Sequence, residues 1–377
     1  MNNNMPPKLL LVGGGTGGHA GPIIALYNQL IKDDSDMDIT IVGSGTPEEM
    51  YFYKDLKNYL VIKSGKLHRY LTTKNIIELS KAIIGFAQSI SLLRKIKPDY
   101  VFSKGGHVSL PIVRAAILLN IPYSIHESDI SIGKTNLVFS KKADKVFVCY
   151  PLKYFPQVKK EKLVQSGPIL REGYEIGKTG EKKHFGFKDD KPVLLLTGGS
   201  QGSLKLSETF IEIVPKLLKD FNIIHQAGKH SIEISREFKS KLTEEEKRGY
   251  YLTEMLSKID SIDYMSEALD LANIVITRAG STILEVAVKS KPMIIIPWKD
   301  AAQNHQDKNA EYFATNKAAI IIKENELRSE TLLKTVEDLW KDEEEREKII
   351  TNISKLFPNN GVKIVAREII ERLKAGK

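Results

Sequence analysis

The chain has 377 residues, of which 42% are hydrophobic and 27% are charged, and this length and composition predict two globular domains. Its net charge of +9 favours an anionic partner such as a phosphorylated substrate, nucleic acid or anionic lipid, although solubility alone would also explain it. The one cysteine, Cys149, excludes an intramolecular disulfide, a Cys-rich zinc site and a two-cysteine redox motif.

The sequence has no uninterrupted apolar stretch that reaches the ~18 residues of a membrane span. Residues 1–8 lack the apolar core of a secretory signal. We therefore expect a cytoplasmic location.

The first half of the chain alternates short apolar segments with segments of helical periodicity. The segments typical of strands are residues 8–12, 38–42, 99–102, 122–126 and 145–149, and helical patterns occupy residues 22–31 and 110–119. Strands that alternate with helices predict a parallel, doubly wound sheet.

The same pattern restarts after a polar segment at residues 178–191 that glycines interrupt. Here the strand segments are residues 192–197, 222–225, 274–277 and 293–296, and the helical segments are residues 204–218 and 283–288. The sequence therefore predicts an α/β protein with two Rossmann-like halves.

Each half opens with a strand, a glycine-rich turn and a helix, which together bring backbone N–H groups and a helix dipole to a phosphate. Gly13, Gly15 and Gly18 match the spacing of the dinucleotide fingerprint. That fingerprint also needs an acid at the end of the second strand, where this chain has Gly43 and Ser44. A nicotinamide or flavin cofactor is therefore disfavoured.

Asp34 and Asp36 have the spacing of a metal-binding D-x-D pair. They lie in a polar loop with no apolar strand leading into it, so we predict a solvated turn and no bound metal.

Six motifs follow one another along nearly the whole chain. They are residues 14–19 with Pro22, 103–109, 126–129, 198–202, 278–282 with Glu285, and 304–309. Their order and spacing resemble the MurG family of N-acetylglucosaminyltransferases, which is glycosyltransferase family 28.

The resemblance implies the GT-B fold, in which two Rossmann-like domains with doubly wound parallel sheets face each other across a cleft. We assign residues 1–165 to an acceptor- and membrane-binding domain and residues 166–357 to a UDP-sugar-binding domain. Residues 358–377 are expected to form a C-terminal helix that packs back toward the first domain.

The implied reaction transfers N-acetylglucosamine from UDP-N-acetylglucosamine to a muramyl-peptide acceptor on a polyprenyl pyrophosphate, converting lipid I to lipid II in peptidoglycan or related cell-wall synthesis. It inverts the anomeric centre and needs no metal or cofactor. The protein is expected at the cytoplasmic face of the cell membrane as a peripheral protein.

The resemblance also implies roles for single residues in the first domain. His19 would be the general base, because the pKa of histidine lies near neutrality, while a purely loop-shaping histidine is the alternative. Glu127 is the second catalytic candidate. The candidates for acceptor binding are Gly14, Gly15, Gly105, Gly106, His107 and His126; His107 stands where the family often has an aromatic residue.

The donor-binding candidates come from both domains. Arg171 would approach the donor phosphates, although it lies one residue further from the Gly167-Pro168 pair than is usual in the family. Glu285 would accept hydrogen bonds from the ribose hydroxyls, although its spacing from Gly280 is one residue short. The remaining candidates are Thr16, Gly17, Gly18, Asp129, Ser200, Gln201, Gly202, Ile262, Arg278, Ser281, Thr282, His305, Gln306 and Asn309.

Residues 63–97 carry eight Lys or Arg against one acid, Glu78, and apolar residues lie between them. Basic and apolar residues on one helical segment are typical of a helix that binds an anionic membrane surface. An amphipathic helix that packs inside the domain is the alternative. We expect no nucleic-acid partner, because no motif of a known nucleic-acid module is present.

Three further functions stay open. A UDP-N-acetylglucosamine 2-epimerase would share the GT-B fold and need no lipid. A glycosyltransferase acting on another lipid-linked acceptor would present similar loops. A non-catalytic lipid-pyrophosphate binder is disfavoured by the presence of His19, Arg171 and Glu285.

Overall fold

The computed structural model describes residues 6–54, 56–65, 73–174, 180–259, 262–301 and 304–375. The chain divides into two compact units. The first holds residues up to Arg171 together with those from Pro358 onward, and the second runs from Glu172 to Phe357.

In the described part of the chain, the first unit contains a seven-stranded parallel sheet with the order β3-β2-β1-β4-β5-β6-β7. The strands are β1 (Lys8–Val12), β2 (Asp38–Gly43), β3 (Tyr59–Val61), β4 (Tyr100–Ser103), β5 (Tyr123–Glu127), β6 (Lys145–Val148) and β7 (Leu163–Gln165). The inner strands are mostly apolar and are buried because helices cover both faces of the sheet, although β5 also buries Ser124, His126 and Glu127.

The helices of this part of the chain connect the strands. They are α1 (Gly17–Asp33), α2 (Pro47–Tyr53), α3 (Thr73–Ile96), α4 (Ser109–Leu118) and α5 (Lys134–Ser140), with short 3₁₀ turns at Leu152–Tyr154 and Lys160–Lys162.

The second unit contains, within the described ranges, a six-stranded parallel sheet with the order β10-β9-β8-β13-β14-β15, and a separate antiparallel pair, β11 with β12. The strands are β8 (Val193–Thr197), β9 (Asn222–Gln226), β10 (Tyr250–Thr253), β11 (Lys258–Ile259), β12 (Ile262–Asp263), β13 (Ala272–Thr277), β14 (Met293–Ile295) and β15 (Ile320–Ile321).

The remaining helices follow in chain order. They are α6 (Leu204–Ile211), α7 (Val214–Leu217), α8 (Ile232–Ser240), α9 (Glu244–Arg248), α10 (Tyr264–Leu271), α11 (Thr282–Val288), α12 (His305–Thr315), α13 (Ser329–Lys341), α14 (Glu343–Ile353) and α15 (Gly361–Ala375), with a 3₁₀ turn at Lys182–Phe185. One helix was predicted over residues 204–218, but the structure has two. Pro215 lies in the first turn of α7, where a proline favours the start of a new helix.

The C-terminal helix α15 belongs to the core of the first unit. Its Val365 and Ile369 are buried in the same apolar cluster as Ile23 and Leu26 of α1. The chain thus leaves the first unit after Arg171 and returns to it at Pro358.

Both sheets reverse their strand order next to their first strand. β1 lies between β2 and β4, and β8 lies between β9 and β13. Open parallel sheets bind ligands beyond the carboxyl ends of the strands at such reversals. The glycine loops after β1 and β4, and those after β8 and β13, lie at these two positions.

Candidate active site

Two glycine loops of the first unit meet around His19. Gly106 has a φ of 82°, and a Cβ added to it would lie 2.8 Å from the carbonyl oxygen of Gly14 and 3.5 Å from the His19 ring. A Cβ added to Gly15 would collide with the ring of His107. Gly105 also has a positive φ, 96°, beside His19. Only glycine allows the two loops to approach this closely.

His19 is partly buried in the first turn of α1, where its Nδ1 lies 2.9 Å from Thr16 Oγ1. Burial, and then the positive charges of Lys104 and His107, lower the pKa of His19 from 6.5 to about 3. The imidazole is therefore neutral at pH 7. A tautomer in which Nδ1–H donates to Thr16 leaves Nε2 able to accept a proton.

Lys104 lies between these loops and was not among the sequence candidates. It is 4% exposed, and its Nζ donates to Ser128 Oγ at 2.6 Å. Burial lowers its pKa, while the negative groups of Glu127 and Asp129 act in the opposite direction. A lysine inside a glycine turn at the end of a buried strand was the sequence signal that could have revealed it.

Glu127 organises the loop that follows β5. Its Oε2 accepts hydrogen bonds from Asn136 Nδ2 at 2.9 Å and from Gly133 N at 3.0 Å, and its Oε1 accepts from Ser128 N at 3.0 Å and Asp129 N at 3.2 Å. Burial, and then the charge of Asp129, raise its pKa. The carboxylate positions its own loop, and its catalytic role stays a prediction.

His126 is 1% exposed, and its Nε2 lies 3.7 Å from Cys149 Sγ. Burial and the charge of Lys104 lower its pKa well below the ordinary value. The ring therefore lies in the interior beneath the loops, and the acceptor contact expected for His126 stays a prediction.

Arg171 lies against α1 in the first unit. Its Cζ is 5.1 Å from the ring centroid of Phe52, and a Cβ added to Gly21 would lie 2.9 Å from its Nη1. Phe52 also approaches Gly17, because a Cβ there would be 3.8 Å from Cε2 of the ring. The guanidinium thus lies along the helix that begins with Gly17, Gly18 and His19, and its contact with donor phosphates stays a prediction.

The loop after β8 packs directly on the loop after β9. Gly202 and Gly228 have φ values of 77° and 72°, and their backbones are in contact. The carbonyl oxygen of Gln201 accepts a hydrogen bond from His230 N at 3.0 Å, and that of Ser200 accepts from Lys229 N at 3.2 Å. These contacts fix the loop that enters α6, whose N-terminal dipole favours an anion.

The opposite loop, after β13, is held by two buried side chains. Arg278 donates to Ser203 Oγ, to the carbonyl oxygen of Ile296 at 3.1 Å and to Glu324 Oε1 at 2.6 Å. The amide of Asn309, which is 1% exposed, donates to the carbonyl oxygen of Ala279 at 3.0 Å. Both residues shape the loop from inside, and their direct contact with a donor stays a prediction.

The same two loops leave open space beside them. A Cβ added to Gly199 or Gly280 would meet no atom within 4 Å. Ser281 and Thr282 enter α11, whose side chains are mostly buried, and Glu285 lies on its partly exposed face. The structure thus brings the glycine loop, Gly280 and Glu285 to one end of the second sheet.

The last donor candidates lie on neighbouring segments of the second unit. Gln306 Oε1 accepts a hydrogen bond from Trp298 N at 3.0 Å. His305 opens α12 directly after Asn304, which has a φ of 52°. Ile262 lies in β12 before α10, and its contact with a base through the backbone stays a prediction.

No cluster of three or more His, Cys, Asp or Glu side chains that could hold a metal ion occurs among the described residues. Asp34 and Asp36 lie in the exposed turn between α1 and β2, where Asp34 Oδ1 accepts a hydrogen bond from Asp36 N at 3.3 Å. Among all the residues that the structure describes, no helix is both long and apolar enough to cross a membrane.

Comparison with known families agrees with this architecture. The model of the glycosyltransferase family 28 N-terminal domain matches residues 9–148, and that of the family 28 C-terminal domain matches residues 193–363. The chain therefore belongs to glycosyltransferase family 28, and it is an enzyme with the GT-B fold.

Its full-length similarity is more specific. The chain is 36% identical over 363 residues to the UDP-N-acetylglucosamine–N-acetylmuramyl-(pentapeptide) pyrophosphoryl-undecaprenol N-acetylglucosamine transferase of Clostridium tetani, covering 95% of this chain and 96% of that relative. This level of identity extends through both units, so the family resemblance seen in the sequence motifs is confirmed.

Solved structures show the same fold. The crystal structure of Acinetobacter baumannii MurG matches with a TM-score of 0.68 at 24% identity and covers 97% of this chain and 99% of its own. A UDP-GlcNAc 2-epimerase from Neisseria meningitidis matches with a TM-score of 0.62 at 14% identity, covering 97% of this chain and 100% of its own. The fold is thus shared between both kinds of enzyme, and the full-length sequence identity distinguishes them.

Proposed function

We propose that this enzyme transfers N-acetylglucosamine from UDP-N-acetylglucosamine to the muramyl-peptide of undecaprenyl-pyrophosphate-linked lipid I, forming lipid II. The observation that carries this proposal is the 36% identity over 95% of the chain to a relative that bears this activity in its name. The two strand-order reversals support this proposal, because each would offer a site for one substrate. The epimerase alternative is not favoured, since the epimerase likeness rests on the fold at 14% identity.

The first unit would activate the acceptor. An acceptor hydroxyl bound beside the two glycine loops gives its proton to Nε2 of His19, and its oxygen forms a bond to the anomeric carbon. The pKa of about 3 reflects burial and the nearby charges of Lys104 and His107. A bound pyrophosphate would offset those positive charges, and we expect it to raise the pKa of His19 toward the range useful for a general base.

The second unit would hold the donor. The bond between the anomeric carbon and the diphosphate oxygen breaks as the acceptor attacks from the opposite side, so the configuration inverts and UDP departs with the electron pair. The start of α6, with the loop that carries Ser200 and Gln201, and Arg171 would stabilise the departing charge without a metal. Glu285 would accept hydrogen bonds from the ribose hydroxyls.

A membrane-facing surface on α3 would bring the enzyme to its lipid substrate. The buried side of this helix carries Gly85, Ser89 and Leu93, whereas Leu79 and Ile83 are 54% and 64% exposed. Apolar side chains of α3 therefore point away from the unit's own core. Part of the basic and apolar segment, residues 66–72, lies outside the described residues. We propose peripheral binding at the cytoplasmic face of an anionic membrane.

Acceptor-dependent release of UDP tests the proposed function. UDP should form from UDP-N-acetylglucosamine only when a lipid I analogue is present, because the leaving group departs only on acceptor attack. A 2-epimerase would instead convert the sugar nucleotide in the absence of any acceptor, and that result would replace the transferase assignment.

A further inference from the structure

Glu49 lies in α2 and is fully buried beneath the first glycine loop. Its Oε1 accepts hydrogen bonds from Gly15 N and Ser44 Oγ. Its Oε2 accepts from Ser44 N at 2.8 Å, from Gly45 N at 3.0 Å and from Tyr59 Oη at 2.8 Å. One carboxylate therefore joins the loop after β1 to the loop after β2.

The packing around this carboxylate leaves no room for other side chains. A Cβ added to Gly14 would lie 2.6 Å from Glu49 Cδ, and one added to Gly43 would lie 2.8 Å from Tyr59 Oη. The two glycines are thus required because the carboxylate fills the space between the loops. The end of β2 has no acid of its own, and Glu49 reaches this place from α2.

The carboxylate is held in its ionised form. Burial would raise its pKa, but hydrogen bonds from Ser44, Tyr59, Gly15 and Gly45 outweigh burial and leave the pKa below the ordinary value. Three of the donors are backbone N–H groups, and a buried N–H that loses its acceptor is costly. An amide side chain could not replace the carboxylate, because its nitrogen is a donor and cannot accept these bonds.

The network leads directly to the proposed general base. Gly15 precedes Thr16, the residue that caps α1 and whose Oγ1 lies 2.9 Å from His19 Nδ1. We propose that Glu49 is a positioning residue: by fixing Gly15 it sets the orientation of Thr16 and His19 for proton transfer from the acceptor. This inference rests on the proposed function, in which His19 is the base.

The test compares Glu49→Gln with the wild-type enzyme in the transfer reaction. The variant is expected to lower kcat by about 10- to 100-fold, because a small displacement of a catalytic group has effects of this size. The KM for UDP-N-acetylglucosamine should change much less than kcat, since the proposed contacts with the diphosphate loop and with Glu285 lie in the second unit. Amide hydrogen exchange in residues 13–19 should accelerate.

Asp270→Asn is the matched control. Asp270 is also a buried carboxylate, paired with Lys289 Nζ at 2.6 Å in the second unit. Its loss should lower thermal stability while leaving kcat and exchange in residues 13–19 close to wild type. If the role of Glu49 were purely structural, both variants would lose thermal stability and keep a kcat close to wild type. That result would overturn the proposal.

Glu49→Asp covers the case in which the glutamine variant does not fold. It keeps the charge but is one methylene shorter, so it cannot hold Gly15 and Ser44 together, and kcat should fall while the protein stays folded. Unchanged kcat in a folded variant at this position would refute the positioning role. If the wild-type enzyme shows no transfer, the proposed function fails, and the exchange experiment still tests the link between Glu49 and the loop.

Discussion

The guanidinium of Arg278 and the carboxylate of Glu324 form a buried ion pair at 2.6 Å, with the side chains 8% and 6% exposed. Arg278 also donates to Ser203, the residue that precedes α6, and to the carbonyl oxygen of Ile296 at 3.1 Å. This pair therefore ties the loops after β8, β13 and β14 into one frame around the proposed donor site.

Removing Glu324 should damage this frame. Glu324→Ala leaves the Arg278 charge buried without its partner, and breaking such a pair costs about 3–5 kcal/mol of unfolding free energy. The loops that Arg278 holds should loosen, so UDP affinity should fall as well. Urea denaturation and calorimetric titration with UDP measure the two effects. An unchanged unfolding free energy would show that the pair does not hold the loops.

His19→Ala should abolish most of the activity without affecting donor binding. Loss of a general base lowers kcat by about 10²- to 10⁴-fold. UDP affinity should be unchanged, because the diphosphate loop lies in the other unit. Steady-state kinetics and calorimetry with UDP test both expectations. Thr16→Val, which removes only the hydroxyl beside Nδ1, should give a smaller decrease; a loss of UDP affinity in His19→Ala would instead make His19 a loop-shaping residue.

Glu285→Ala should weaken UDP binding by roughly 100-fold, because two ribose hydrogen bonds to a charged acceptor would be lost. Calorimetric titration with UDP measures the change. The affinity for uridine should fall by a similar factor, because uridine retains the ribose. Glu233→Ala is the control, since Glu233 forms an exposed ion pair with Arg236 on the surface of the same unit. Equal affinities for Glu285→Ala and wild type would remove Glu285 from the ribose site.

The protein should lose stability as the pH falls below neutrality. Burial lowers the pKa of His225 from 6.5 to about 3, and it lowers that of His126 well below the ordinary value. Both are neutral when folded, whereas the unfolded chain binds protons below pH ~6.5, so unfolding becomes easier as the pH decreases. Each contributes about 1.4 kcal/mol in total between pH 7.5 and pH 5.5.

Urea denaturation at pH 7.5 and at pH 5.5 measures this loss. The carboxylates with a lowered pKa, such as Glu49, change the unfolding free energy only when the pH falls below about their ordinary pKa of 4.5. They therefore do not affect the comparison between these two pH values. His225→Gln should reduce the histidine contribution to this pH dependence by about a third, because His19 and His126, whose pKa values are also lowered, contribute in the same window. An unfolding free energy that does not change between the two pH values would show that these histidines titrate normally.

The exposed apolar face of α3 should bind anionic vesicles. Ile83→Glu places a charge on this face and should reduce cosedimentation with vesicles that contain phosphatidylglycerol, while transfer to a water-soluble acceptor analogue is preserved. Val138→Glu is a matched control, because Val138 is also 64% exposed but lies on α5. Equal losses of binding in the two variants would mean that α3 is not the membrane contact.

The glycine loops and the parallel sheets could be predicted from the sequence, because apolar strands and glycine turns are local signals. The short outer strands β3, β7, β10 and β15 were missed, since two to four residues carry too little pattern. Glu49 was missed for another reason. It contacts Gly15 across 34 residues of chain, and nothing in the residues around it distinguishes it from a surface glutamate.

The inward roles of Arg278 and Asn309 could not be predicted either. Motif matching assigned them to the donor, but whether a side chain at a motif position points toward the ligand or into the unit depends on packing around Glu324 and Ala279. Sequence motifs therefore located the loops correctly, whereas tertiary contacts decided which side chains support those loops from within.

Transfer of radiolabelled N-acetylglucosamine from UDP-N-acetylglucosamine to a synthetic lipid I analogue, with a chelator present, tests the central assignment most directly. The expected result is a labelled lipid product whose formation requires His19 and persists in the chelator. Binding of UDP-N-acetylglucosamine without any labelled lipid would contradict the proposed acceptor and leave only the family 28 donor site established.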